Sequence, residues 1–138
     1  MEGLLKWATE NTRSTLLKTL KTTHLPLHQA FVCGEPTVDV TDNILGIAIS
    51  TENLLLNARR QQEYGLPTVV SVDTTHKLVL EGHCNLLLGN VDSGQHFHTI
   101  GYGFCSNEDA QMHTRIVCCL VEELEKVVEQ RFQDGMEI

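Results

Sequence analysis

Apolar positions along the chain change their period several times, and each change marks a boundary. Residues 3 to 20 set Leu4, Leu5, Ala8, Leu16, Leu17 and Leu20 at helical spacing, interrupted by the polar stretch Thr9 to Thr15. The spacing predicts a helix. Residues 21 to 43, KTTHLPLHQAFVCGEPTVDVTDN, carry two of the three prolines and hold no period, which predicts a loop or linker with a short strand at Ala30 to Cys33. ILGIAIS, residues 44 to 50, is short, apolar and rich in isoleucine, as a buried strand is. Ser50 or Thr51 then caps a helix running through Leu54, Leu55, Ala58 and Arg59, which Gly65-Leu66-Pro67 stops.

From Pro67 the pattern is that of strands. PTVVSVD has too little polar alternation for a half-exposed strand, so it reads as one covered on both faces. Glu81-Gly82 signals a turn, HCNLLLGNV (83 to 91) a second strand, and Asp92-Ser93-Gly94 a turn into QHFHTIGYGFC (95 to 105). Three consecutive strands with short turns make an antiparallel meander. Strict alternation in the third would put His98, Ile100, Tyr102 and Phe104 on one face. Its other face carries Phe97, Thr99, Gly101, Gly103 and Cys105, where the glycines leave room for a helix to approach.

Ser106-Asn107-Glu108-Asp109 reads as a helix start, with Ser106 as cap and Asp109 three positions on. Ile116, Val117, Leu120, Val121, Leu124, Val127 and Val128 then form a sustained stripe, predicting a long amphipathic helix to about Phe132. The tail QDGMEI has nothing to bury.

Composition narrows the class. The length of 138 residues suits one core, and 41% apolar with 20% charged residues is the balance of a folded protein. Eighteen acids against ten bases give a net charge of −8, with Arg59-Arg60 the only basic pair, which disfavours non-specific binding to nucleic acid by this chain alone. No apolar run resembles a signal-peptide core or a membrane span, so an intracellular protein with no membrane contact is expected. In that compartment the five cysteines, Cys33, Cys84, Cys105, Cys118 and Cys119, are expected as free thiols.

The order strand, Asp, strand, turn, strand, Ser-x-Glu-Asp, helix carries a resemblance. The stretch from Leu66 to about Gln130 resembles the transposase domain of Mutator-like elements (MULE), whose hallmark is a strand ending in an Asp-Ala-Thr-Tyr-Lys-like motif. Here the motif reads Asp73-Thr74-Thr75-His76-Lys77-Leu78, with Thr74 replacing a small residue and His76 an aromatic. Leu88-Gly89-Asn90-Val91-Asp92, Gln95-His96-Phe97-His98 and Ser106-Asn107-Glu108-Asp109 follow in the family's order. Upstream, AISTENLLLNA (48 to 58) looks like the segment that precedes its catalytic strand.

The resemblance implies an RNase H-like fold and DDE chemistry, in which three acids hold two Mg²⁺ or Mn²⁺ ions for phosphodiester cleavage and strand transfer. It implies DNA as partner and the nucleus as location, although no nuclear localisation signal is evident. Two cations about 4 Å apart stabilise the attacking and leaving oxygens, and holding them takes several carboxylates. By the resemblance Asp73 is the first catalytic and metal-binding acid. Glu108 is an outside candidate, since relatives keep an acid on this helix, while acids are also favoured in any first helical turn. No second aspartate or late glutamate of the site can be assigned, so a truncated, transposon-derived and catalytically incomplete protein is expected, binding metal weakly by itself.

The expected class is therefore α+β. An N-terminal helix and linker (1 to 43) precede a partial RNase H-like domain (44 to 132), and a tail (133 to 138) follows. In such a domain the edge carrying Val69, Val70 and Val72 lacks its neighbour, and Ile44 to Ser50 or a second chain could pair there. The alternative is a domesticated protein-binding or assembly module without nuclease activity, using that edge or the acidic helix residues Glu122-Glu123-Glu125. A zinc site from His96, His98, His76, His83 and Cys84 lacks the usual spacing, and adjacent Cys118 and Cys119 point about 100° apart on a helix, too far for a chelating pair.

Overall fold

The computed structural model describes residues 2–39, 41, 44–65, 68–71, 84–106 and 110–135. The N-terminal stripe forms two helices, α1 (Glu2–Glu10) and α2 (Arg13–Leu20), where the spacing predicts one. Thr12 makes the break. Its backbone is extended (φ −65°, ψ 150°), and its hydroxyl accepts the Thr15 N–H, capping α2 as a new helix.

The stretch read as a linker contributes the short strand expected within Ala30 to Cys33, β1 (Phe31–Val32), and a second, unexpected one, β2 (Thr37–Asp39). Both pair antiparallel with β3 (Ile44–Ser50), β1 at its end and β2 at its start. Strands of two and three residues are too short to show a period, which is why the pattern conceals β2. Thr51 then caps α3 (Glu52–Glu63), accepting the Leu54 N–H at 3.1 Å.

The meander follows as β4 (Thr68–Ser71), β5 (Cys84–Val91) and β6 (Phe97–Cys105), and α4 (Ala110–Gln133) is the last described element. The sheet is antiparallel in the order β1-β3-β6-β5-β4, with β2 beside β3. One expectation is overturned: Ile44–Ser50 does not pair beside β4 but at the opposite end of the meander, with Gly46 opposite Cys105 and Ile49 opposite Tyr102. The glycines of β6 favour this side, because α4 can lie close over β3 and β6 together. A Cβ on Gly101 would stand 2.6 Å from Leu120 Cδ2, and one on Gly103 2.7 Å from Ile116 Cγ2.

Helices α3 and α4 pack together over one face of the sheet. Between them and the sheet lies the main core, including Phe31, Ala48, Leu55, Leu86, Leu88, Ile116, Leu120 and Val127. On β3, Leu45, Ile47 and Ile49 pack instead with Leu5 and Ala8 of α1. The unbroken apolar run ILGIAIS is thus covered on both sides, as its lack of alternation requires.

Strict alternation fails in β6. Leu88 faces Gly101 and Gly89 faces Thr99, leaving Ile100 without a cross-strand partner on β5. This bulge turns Ile100 into the main core, away from Tyr102 and the other residues with which alternation groups it.

Candidate functional site

The acids that the resemblance singles out, Asp73 and Glu108, lie outside the described residues, as do His76, His83 and the proposed helix start at Asn107–Asp109. The described flank of Asp73 is β4, which pairs with β5 from Thr68 opposite Asn90 to Ser71 opposite Leu87. Among the described residues no strand pairs with the other edge of β4.

Asp92 organises the turn from β5 to β6. Its carboxylate accepts the N–H groups of Gly94 and His96, each at 2.9 Å, and lies 2.7 Å from His98 Nε2. The His98 hydrogen bond first, then the backbone N–H of His96, holds the Asp92 carboxyl down at about 2. The His-x-His pair therefore serves a hairpin turn. Among the described residues no group of three or more His, Cys, Asp or Glu is arranged to hold a metal ion.

Among the described residues the densest polar constellation is one that the sequence announces only in part. Glu52, at the first position of α3, turns inward and is completely buried. Its Oε2 accepts the Leu25 N–H at 2.7 Å and Arg13 Nε–H at 3.1 Å, and its Oε1 accepts Arg131 Nη2–H at 3.0 Å. One carboxylate thus ties α2, the following loop, α3 and the last turn of α4. Arg13 Nη1 also lies 3.8 Å from Glu123 Oε2, while Glu123 Oε1 accepts the Gly34 N–H at 3.2 Å. Glu123 is accordingly buried, which removes it from the acidic surface that the run Glu122-Glu123-Glu125 suggests. Glu125 pairs with Arg59 of α3.

Charges alternate along this line, Arg131, Glu52, Arg13, Glu123, so each buried ion faces an opposite one. A groove of about 390 Å³ opens beside it, bordered by Arg13, Ser14, Glu35, Glu123, Lys126 and Gln130 among others. Both oxygens of Glu52 and Oε1 of Glu123 accept hydrogen bonds from this chain, and Glu123 Oε2 faces the Arg13 guanidinium. The arrangement holds helices in register rather than presenting carboxylates to a metal.

A signal for two members does exist in the sequence. Glu123 and Arg131 occupy the stripe of Ile116, Leu120 and Val127 at steps of three and four, so they must enter the core or break it. Nothing in the spacing identifies Arg13 and Glu52 as partners 39 residues apart.

Compared with family models, with curated proteins and with solved structures, the chain shows no significant match. Among the described residues no helix is long and apolar enough to cross a membrane. The chain is an α+β protein with an open antiparallel sheet.

Proposed function

We propose that this chain carries the opening half of a MULE transposase-like, RNase H-like domain derived from a DNA transposon, and that it is catalytically incomplete by itself. Asp73 is the first DDE acid in this reading, and Glu108 remains its outside candidate. The observation that carries it is the consecutive antiparallel meander β4-β5-β6, with α4 following and lying over the glycines of β6. That succession is how the resemblance implies such a domain begins, with the acid following β4.

Cleavage by two Mg²⁺ or Mn²⁺ ions needs further carboxylates beside Asp73, and the described acids Asp92, Glu123 and Glu125 are already engaged in hydrogen bonds or ion pairs. DNA as substrate and the nucleus as location belong to this reading and rest on the family resemblance. The purified chain should cleave supercoiled DNA in Mg²⁺ or Mn²⁺ no faster than its Asp73→Ala variant. Metal-dependent cleavage that the variant loses would overturn the proposal of incompleteness while supporting the role of Asp73.

The second reading is a protein-binding or assembly module. It is favoured by the β4 edge, which has no described partner, because an extended segment of another chain could add a strand there. Stoichiometric co-purification of a partner in moderate salt, lost on placing proline at Val70, separates the two readings.

A further inference from the structure

The end of β1 docks into a notch on α4 made by two residues one turn apart, Cys119 and Glu123. Gly34 touches both. Glu123 accepts its N–H at 3.2 Å, and a Cβ on Gly34 would lie 3.3 Å from Cys119 Sγ and 4.0 Å from Cys119 Cα. The preceding residue, Cys33, is fully buried, anchored by its N–H to the Ala48 carbonyl at 2.7 Å, and belongs to the core cluster against which Cys119 packs.

We propose that Cys33 and Cys119 are a redox pair that closes into a disulfide under oxidising conditions and pins the edge strand β1 to α4. Both are free thiols in the structure. Cys119 is half-buried and can meet an oxidant, whereas Cys33 is enclosed and can act only as the resolving thiol. Neighbouring Cys118 is exposed and lies about 100° away around the helix.

Oxidised glutathione is a sufficient oxidant. The Cys119 thiolate attacks one glutathione sulfur, forming a mixed disulfide and releasing one glutathione thiolate. The Cys33 thiolate then attacks Cys119 Sγ, forming the internal bond and releasing the second glutathione thiolate. Two protein thiols are oxidised, one glutathione disulfide is reduced, and the two protein protons end on the released glutathiones.

Burial pushes both thiols up, with Glu123 beside Cys33 and Glu122 beside Cys119 adding to the effect. Thiolate is scarce at neutral pH as a result, so the pair responds to sustained oxidation and not to brief exposure.

The test is to incubate the full chain, and its Cys118→Ser variant, with oxidised glutathione at pH 7 and at pH 8.5, then map peptides without reduction. In both proteins a peptide joining Cys33 to Cys119 should form several-fold faster at the higher pH, with a raised melting temperature that dithiothreitol reverses. In Cys33→Ala, Cys119 should stop at the glutathione mixed disulfide. A wild-type chain whose Cys119 keeps glutathione, stays unmodified or crosslinks between molecules through Cys118 overturns the proposal.

Discussion

Ser50 donates a 2.6 Å hydrogen bond from its hydroxyl to the carbonyl of Ile100, the one residue of β6 that the bulge leaves without a partner on β5. Ser50 is buried, so water cannot replace it, and the last residue of β3 completes the hydrogen bonding of a bulged position that its own ladder leaves unfinished. Ser50→Ala should cost about 1–3 kcal/mol, the penalty for stranding a buried acceptor. A lower urea midpoint with an unchanged slope would show this. An unaltered midpoint would mean that Ile100 finds another donor.

The close approach of α4 makes a second prediction. An added methyl at Gly101 meets Leu120 Cδ2 at 2.6 Å and the Ile49 carbonyl oxygen at 3.0 Å, so a side chain and a neighbouring strand both resist it. Gly103 meets only side chains at such range, those of Ile116 and Leu86. Gly101→Ala should therefore lose about 1–3 kcal/mol, and Gly103→Ala less, because side chains can shift where a paired backbone cannot. Thermal unfolding of the two variants checks the order; equal losses would show that helix packing alone sets the limit.

The strands and helices with a clear period were legible: β3, β5, β6, α3 and α4 stand within a few residues of where apolar spacing puts them. The partner of β3 was not, because a run buried on both faces, such as Ile44–Ser50, carries no mark of which neighbour it joins. Nor was the bulge, since Ile100 looks like any alternating apolar residue until Gly89 and Thr99 are found opposite each other. For the candidate site, Asp73 is read from an ordered set of motifs and has no described geometry to meet. The buried charges escaped for another reason: Glu52 looks like an ordinary first-turn acid, and only the fold brings Arg13 and Arg131 to it.

That pairing has an asymmetric energetic consequence. Glu52→Leu takes their shared carboxylate from the buried arginines Arg13 and Arg131 and removes the acceptor of the Leu25 N–H, so a loss of about 3–5 kcal/mol is expected. The quadruple change Arg13→Met, Glu52→Leu, Glu123→Gln, Arg131→Met removes all four charges together, keeps an amide oxygen to accept the Gly34 N–H, and should recover more than half of that loss. Urea unfolding of wild type, single and quadruple variants measures it. A quadruple variant no more stable than Glu52→Leu would show that the ions contribute more than mutual compensation.

Asp92 gives the turn between β5 and β6 a pH dependence whose sign is fixed. Its carboxyl is held at about 2 in the folded chain, chiefly by the His98 hydrogen bond, against an ordinary value of 3.8. A carboxyl depressed on folding stabilises the fold fully above its ordinary value, and that contribution is lost as pH falls through the folded one. The turn's amide protons at Gly94 and His96 should therefore stay protected on acidification to about pH 4 and become exposed as pH approaches 2. Asp92→Asn lacks the titrating carboxylate, and its protection should change little over the same window. Following the Asp92 carboxyl carbon by NMR alongside amide exchange tests both parts, and a midpoint near 3.8 would show that His98 does not hold the turn.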